Sequence, residues 1–399
     1  MSKKNSPQTG SRSFLGTILA LIVVIIAAIV SFFGGGLDTP TPDPVVTTAP
    51  GGTAIVDLPD SLVTISIPQG FGAQYGFWQV YFSAPTGSSD STLYTGGIDG
   101  ALVDAVNGAR GTLDIAAYEF NNELLTEAVL AAHDRGVRVR VVTDDDAGIE
   151  DDDTTLNQFV TAGIPVVDDS RSALMHNKFM IIDGSVVWTG SWNYTVNGTY
   201  RNNNNALMIR SRRAVESYQA EFNEMFERRE FGPRSTTGNG TTYNQDGTPI
   251  QIIFAPEDDV LTAIINQLEQ AEHSIRFMAF SFTVAQIGDQ IQSRAEAGVQ
   301  VQGIFETVGS ETSFSQLTPL FCAGLPVRQD GNRYILHHKV FIIDDDTVLT
   351  GSFNFSANAT QSNDENMVII QDRVLAAQYI AEFERRWAEA TTPDDLTCS

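Results

Sequence analysis

The sequence predicts an α/β protein of two repeated lobes that share one active site, preceded by a single N-terminal transmembrane helix. Three observations predict it. Stretches of the chain recur in the same order, at a spacing of 161–162 residues after the first pair. Within each copy, short apolar runs alternate with segments of helical periodicity, the pattern of sandwiched α/β units. Finally, Phe14 to Phe33 is an uncharged run of 20 residues, FLGTILALIVVIIAAIVSFF.

The repeat is read by setting the chain against itself. QVYFSAP (Gln79 to Pro85) resembles QIIFAP (Gln251 to Pro256), and LDIAAYEF (Leu113 to Phe120) resembles IRFMAFSF (Ile275 to Phe282). RGVRVRVVTD (Arg135 to Asp144) resembles AGVQVQGIFE (Ala297 to Glu306), and AGIPVVDD (Ala162 to Asp169) resembles AGLPVRQD (Ala323 to Asp330). HNKFMIID (His176 to Asp183) resembles HHKVFIID (His337 to Asp344), and GSWN (Gly190 to Asn193) resembles GSFN (Gly351 to Asn354). Duplicated lobes commonly pack about a pseudo-twofold axis, which brings equivalent edges together.

Each copy carries the same elements. VYFSA and IIFA read as short strands, and Ile98 to Ala109 and Val260 to Ala271 as helices. LDIAAYEF is a buried strand, with Asn121 or Asn122 as N-cap of the helix ELLTEAVLAAHDR. Gly136 and Gly298 stand where that helix and its partner end, as a C′ glycine does. VRVRVV, a further helix, IPVV and the two motif strands follow. The amphipathic segments Arg213 to Arg229 and Arg373 to Trp387 close the two halves.

The apolar run at 14–33 is long enough to cross a bilayer core. Lys3, Lys4 and Arg12 precede it, and no Lys or Arg follows until Arg110. The positive-inside rule therefore puts residues 1–13 in the cytoplasm and the remainder outside. The alternative, a secreted protein after signal cleavage, is disfavoured by the length of the run and the lack of an A-x-A site. A Pro/Thr/Gly linker spans 34–53. The first lobe is expected at 54–232, an inter-lobe loop at 233–249, the second lobe at 250–390 and a tail at 391–399. Phe71 to Phe77, Ala147 to Thr155 and Pro233 to Pro249 are expected as loops around the mouth of the site.

Composition narrows the function. The chain has 49 acidic and 24 basic residues, a formal net charge of -25. Such a surface repels polyanions and disfavours broad nucleic-acid binding. Only four lysines occur: Lys3, Lys4, Lys178 and Lys339. The last two lie in the HxK segments, as do His176, His337 and His338 among the five histidines. Cys322 and Cys398 are too few for a disulfide framework but allow one bridge outside the cytoplasm.

Each half holds His-x-Lys, an Asp five residues past the Lys, and Gly-Ser-x-Asn. The residues are His176, Lys178, Asp183, Gly190, Ser191 and Asn193, then His337, Lys339, Asp344, Gly351, Ser352 and Asn354. On a strand, His and Lys two apart share a face, and so do Ser and Asn. The Asp opens a turn, with Asp183-Gly184 a hairpin signal and Asp344-Asp345-Asp346 a weaker one. One lobe thus offers an imidazole, an ammonium, a hydroxyl and a carboxamide together. Lys attracts a phosphoryl oxygen by charge, and Ser and Asn by hydrogen bonds. Two such patches face to face hold a phosphodiester between two imidazoles. A single HxK is a common surface coincidence; six fixed residue types recurring at the repeat offset are not.

HxKxxxxDxxxxxxGSxN, present twice, resembles the phospholipase D superfamily over about residues 78 to 390. AYEF and AFSF also resemble its smaller bacterial endonuclease members. The resemblance implies a covalent phosphohistidine on one His, with the other protonating the leaving alcohol and then activating water, and neither metal nor cofactor. It implies His176 as nucleophile and His337 as general acid/base, with Lys178, Lys339, Asp183 and Asp344 completing the catalytic set. Ser191, Asn193, Ser352 and Asn354 bind phosphate. The family's Asn-x-Glu, whose carboxylate orients the His, stands in the second half as Asn363-Asp364-Glu365; in the first half Asn204 replaces the Glu. Only His337 is therefore expected to have an orienting carboxylate.

The implied substrate is a phospholipid or another phosphodiester, cleaved at the head group beside a membrane. A nuclease, a cardiolipin synthase-like phosphatidyl transferase and a catalytically weak binding protein are the alternatives. Both motifs lie in one chain, so no oligomer is required. Asp144 to Asp146 and Asp151 to Asp153 read as solvated acidic loops rather than a Ca²⁺ site. Trp188, Trp192 and Phe353, interleaved with motif residues, read as packing groups.

Overall fold

The computed structural model describes residues 58–59, 61–235, 238–394 and 396–398. The expected transmembrane helix and linker lie outside the described residues, and no described helix is long and apolar enough to cross a membrane.

Two sheets carry the fold. The first contains β1 (Val63–Ile67), β2 (Gly70–Tyr75), β3 (Trp78–Ser83), β4 (Thr112–Ala117), β5 (Arg138–Thr143), β6 (Val166–Asp168), β7 (Lys178–Ile182), β8 (Val186–Gly190) and β9 (Asn205–Ile209). Its strand order is β1-β2-β3-β9-β8-β7-β4-β5-β6. The second contains β10 (Thr241–Gln245), β11 (Thr248–Ala255), β12 (Ser274–Ala279), β13 (Gln300–Phe305), β14 (Val327–Gln329), β15 (Lys339–Ile343), β16 (Thr347–Gly351) and β17 (Glu365–Gln371). Its order is β10-β11-β17-β16-β15-β12-β13-β14, that of the first sheet without β1. Pairing is parallel along β4-β5-β6 and β12-β13-β14 and antiparallel elsewhere.

The helices are α1 (Asp99–Gly108), α2 (Glu123–Asp134), α3 (Leu156–Thr161), α4 (Val196–Tyr200), α5 (Arg212–Asn223), α6 (Val260–Glu269), α7 (Ala285–Glu296), α8 (Leu317–Cys322), α9 (Ala357–Gln361) and α10 (Arg373–Glu389). Asn122 caps α2 by accepting the Leu125 N–H at 3.1 Å, as its position before the apolar-periodic segment predicts. Gly136 and Gly298 take the left-handed conformation that ends α2 and α7, at φ +89 and +97.

Three cores result. One lies on the outer face of each sheet under the helices of its own lobe. The third lies between the lobes and joins Trp78, Phe179 and Phe222 to Phe254, Val340 and Phe383. The closing helices sit in that middle layer, α5 against β7, β8, β10 and β11 and α10 against β2, β3, β15 and β16. Each closing helix thus touches both sheets, and burial of this shared apolar surface holds the lobes together. The Trp78 indole donates across the seam to Asp372 at 2.9 Å.

Two expected loops are strands instead. Phe71 to Tyr75 belongs to β2, and the 233–249 segment contains β10, which pairs with β11. The reason is local: Asp246 and Gly247 form a turn with φ of +53 and +92, a tight hairpin that returns the chain along itself. Cys322 and Cys398 form a disulfide that ties the chain end to α8.

Candidate active site

The lobes meet through backbone pairing beside the two HxK segments. The His176 N–H donates to the Asp364 carbonyl at 2.9 Å, and the Asp364 N–H to the Leu174 carbonyl at 2.9 Å. In the equivalent place, the Asn203 N–H donates to Ile335 at 2.8 Å and the His337 N–H to Asn203 at 2.9 Å. His176, Lys178, His337 and Lys339 are all buried. Each ammonium donates to the backbone carbonyl of its own motif histidine, at 2.7 Å for Lys178 and 2.8 Å for Lys339. An aromatic residue packs against each pair. Tyr118 lies edge-on to His176 and under Lys178, and Phe280 does the same for His337 and Lys339.

This pairing crosses the orienting groups between lobes. His176 Nδ1 bonds Glu365 Oε2 of the second lobe at 2.7 Å, and His337 Nδ1 bonds Asn204 Oδ1 of the first at 2.9 Å. The expectation that Glu365 would serve His337 is therefore corrected: the carboxylate belongs to His176. The cause is register. Because residue 364 bridges to residue 175, the next residues in each strand, Glu365 and His176, come side by side. No feature within either half signals this, since the pairing forms only when the lobes dock.

Both imidazoles are held in one tautomer. Asn204 Nδ2 donates to the Gly198 carbonyl at 2.9 Å, which turns Oδ1 toward Ser191 and His337. Glu365 also accepts from Ser352 Oγ at 2.7 Å and from Asn363 Nδ2 at 3.2 Å. Each Nδ1 therefore carries the proton and donates, leaving each Nε2 to meet a substrate.

The Gly-Ser-x-Asn segments hold this network through a bulge. The N–H groups of Ser191 and Trp192 both donate to the Asn205 carbonyl, at 3.1 and 3.3 Å, and those of Ser352 and Phe353 both to Asn366, at 3.0 and 3.3 Å. A Cβ on Gly190 would lie 2.4 Å from the Asn205 oxygen and one on Gly351 2.2 Å from that of Asn366, so only glycine fits. Ser191 and Ser352 thus act on the orienting groups Asn204 and Glu365. Asn193 donates to Glu119 at 2.7 Å, a site residue that lies outside the repeated motifs. Its equivalent in AFSF is Ser281, and Asn354 makes no side-chain hydrogen bond with the described residues. Trp188, Trp192 and Phe353 pack into the outer cores.

Asp183 and Asp344, expected in the catalytic set, do not face the histidines. They stand at the far ends of β7 and β15, five residues past each Lys, or roughly 16 Å along an extended strand. Asp183 accepts backbone N–H groups of Arg110, Gly111 and Thr112, and Asp344 those of Glu272, His273 and Ser274. They tie the motif hairpins to the starts of β4 and β12. The middle motif residues point away from the site, as alternation on a strand requires. Asn177 accepts from Asn366 at 2.8 Å, and His338 contacts Asn205 at 3.1 Å and Glu382 at 3.2 Å.

Burial sets the protonation of the site. It lowers the pKa of His176 to about 4 against the opposing pull of Glu365. Burial raises Glu365, but His176, Lys178 and Ser352 outweigh it and hold the carboxyl below the usual range. The pair is a neutral imidazole on an ionised carboxylate. Burial also lowers His337 well below its usual value, with Lys339, Lys178 and His176 adding to it. Lys178 is lowered by burial to about 7, and burial, with Lys178 adding to it, holds Lys339 well below its usual value. Burial raises Glu119, against Lys178 and the Asn193 hydrogen bond. Burial thus disfavours the charged forms of both histidines and both lysines. A phosphodiester anion beside them favours those charged forms and draws protons back onto them.

A family profile described as "Cardiolipin synthase, PLD-like domain" matches residues 102–226 and 264–387, one copy in each lobe. Over 127 residues the chain is 39% identical to the mitochondrial cardiolipin hydrolase of Xenopus tropicalis, covering 32% of this chain and 59% of that protein. Over 139 residues it is 36% identical to the phospholipase D of Rickettsia felis, covering 35% of this chain and 70% of that protein. The alignment thus spans less than two thirds of the first relative and somewhat more of the second. The phosphatidylserine synthase of Haemophilus influenzae Rd KW20 shares the fold at a TM-score of 0.59 and 16% identity, over 84% of this chain and 90% of that one.

Proposed function

The chain belongs to the phospholipase D-like domain family, in two copies, and from that premise we propose that it is a phospholipase D-type phosphodiesterase that hydrolyses phospholipid head groups. The observation that carries this is the crossed pair, His176 on Glu365 and His337 on Asn204. Nucleophilic attack by His176 Nε2 forms a P–N bond and breaks the P–O bond to the head group. The ring, still protonated at Nδ1, gains positive charge, which the Glu365 carboxylate stabilises. His337, backed only by an amide, gives up a proton more readily and passes it from Nε2 to the leaving alcohol. Water then returns a proton to His337, attacks phosphorus, and releases His176. Lys178 and Lys339 hold the phosphoryl charge. Glu365 behind the attacking histidine favours His176 for that role.

Two further points belong to this reading. Residues 14–33 anchor the chain in a membrane, with the lobes outside the cytoplasm. The Cys322–Cys398 disulfide supports that placement, because such bonds persist in oxidising compartments. The test is hydrolysis of phosphatidylcholine and phosphatidylethanolamine vesicles by the purified full-length chain and its His176→Ala variant. Head-group release that depends on His176, with a phosphoenzyme trapped on rapid acid quench, is expected. Equal rates for the two proteins would end the proposal, and His176-dependent cleavage of single-stranded DNA alone would reassign the substrate.

A further inference from the structure

Glu119 is a carboxylate that the first lobe brings to the site and the second does not match, since Ser281 stands in its place. Its Oε2 accepts from Asn193, and its Oε1 accepts no hydrogen bond from the described residues. Asn193 is 9% exposed, and its Oδ1 is buried with no donor. A carboxylate and a buried carboxamide oxygen that has no donor among the described residues therefore lie on neighbouring side chains within a site built for an anion.

The rim repeats the asymmetry. Segment 145–153 runs beside Tyr118 and brings Asp151 close enough to add to burial in raising the pKa of Glu119. It is held at one end by Asp144, which accepts the Met175 N–H at 3.0 Å, and at the other by Thr155, whose N–H donates to Phe120 at 3.0 Å. Gly148 packs onto the Tyr118 carbonyl, where a Cβ would come within 3.2 Å of its oxygen. The equivalent segment 307–315 is anchored in the same way, through Glu306 and Leu336 and through Gln316 and Phe282. Its composition differs. Segment 145–153 carries Asp145, Asp146, Glu150, Asp151, Asp152 and Asp153, whereas 307–315 carries only Glu311 among exposed Val308 and Phe314. Equal scaffolds have thus been given an acidic wall on one side and a neutral, partly apolar one on the other.

We propose that Glu119 is a specificity-determining residue, and that with the acidic rim at 145–153 it selects phosphodiesters whose head group carries an ammonium group, such as phosphocholine or phosphoethanolamine esters. The proposal rests on the phosphodiesterase reading and names its substrate class. The phosphoryl charge goes to Lys178 and Lys339, and the ammonium to Glu119 and the rim. A cation beside Glu119 restores the ionised form that burial opposes, and an ethanolamine head group supplies an N–H donor for Asn193 Oδ1, which has none among the described residues. An anionic head group meets like charge on the same wall and is excluded.

Soluble diesters test this without a lipid surface. The full-length chain is assayed on glycerophosphocholine and glycerophosphoglycerol, which share the glycerophosphate and differ in head-group charge. The wild type is expected to favour the choline diester in kcat/KM by at least about tenfold, mainly through KM. Glu119→Gln, which keeps the hydrogen bond from Asn193, should bring the ratio to within about threefold, while Glu119→Asp keeps most of the preference. The exposed pair Asp146→Asn/Asp151→Asn should reduce the ratio severalfold without touching the interior. A wild-type ratio near one, or a ratio that neither set of substitutions moves, overturns the proposal alone. Absence of His176-dependent turnover on both diesters overturns it together with the phosphodiesterase reading.

Discussion

The first lobe donates His176 and the second supports it through Glu365; the second donates His337 and the first supports it through Asn204. Strand order, backbone bridges, lysine contacts and bulges are the same on both sides. The supporting side chains are not, and a carboxylate and a carboxamide do different work behind an imidazole. Both fix the tautomer, but only the carboxylate stabilises a ring that has become cationic. Near-symmetry of structure is thus compatible with division of labour, and the division is read from the partner's side of the seam.

The largest expected effect separates the two histidines by the species that accumulates. His176→Ala should abolish hydrolysis by about four to six orders of magnitude and form no phosphoenzyme. With a substrate whose leaving group needs no proton, such as a p-nitrophenyl phosphodiester, His337→Ala should still form the phosphoenzyme and then stall. A stable phosphoenzyme in the His176 variant would invert the assignment.

Glu365→Gln is expected next, at roughly two to four orders of magnitude in kcat, by analogy with removing the carboxylate behind any catalytic imidazole. The pH profile sharpens the result. The nucleophile must be neutral, so on its acid side kcat/KM of the wild type should hold until the pH drops through the His176 value, about 4. Glu365 raises that value, so its removal should move the acid limb to lower pH while the plateau falls. An unchanged acid limb with a lowered plateau would leave Glu365 a purely structural role.

The groups that the two strands bring to the seam are legible in the sequence, because they consist of local patterns repeated at a constant offset. HxK, Gly-Ser-x-Asn, the Asn122 cap and the C′ glycines 136 and 298 each depend on a few neighbouring residues. What was not legible depends on contacts between lobes. Glu365 shares its half of the sequence with His337, whereas pairing of 175 with 364 delivers it to His176. Glu119 escapes the pattern for a different reason: it stands where AYEF and AFSF differ, and the repeat marks only positions that agree. β10 escapes it because Thr241 to Gln245 is polar and half-exposed, and lacks the apolar run that marks a buried strand.

Making the two supports alike should have a smaller effect. Asn204→Asp places a carboxylate behind His337 but loses the donor to the Gly198 carbonyl, so some stability is expected to go with it. The added charge favours the protonated ring, so the pKa of His337 rises and the general acid stays charged to higher pH. The alkaline limb of kcat should move upward, with the plateau falling about tenfold because a less acidic imidazolium protonates the leaving group less readily. A profile identical to that of the wild type would mean that Asn204 orients the ring and does nothing to its acidity.

The smallest expected effect on chemistry belongs to the aspartates that the motif includes but the site does not. Asp183 and Asp344 each accept three backbone N–H groups at the starts of β4 and β12. Substitution by Ala leaves those donors to water and should cost about 1–2 kcal/mol of stability, with kcat changed less than about threefold. For Asp183 the pH dependence has a definite sign. Burial is the largest single influence and raises its pKa, but the hydrogen bonds from Thr112, Gly111 and Arg110 together outweigh it and hold the value below the ordinary one. Its contribution is therefore fully present above about pH 4, the ordinary carboxylate value, and is lost as the pH falls through the depressed folded value. Chemical denaturation of wild type and Asp183→Asn should differ at pH 7 and converge in acid. A drop of orders of magnitude in kcat at pH 7, with stability unchanged, would return the aspartate to the catalytic set.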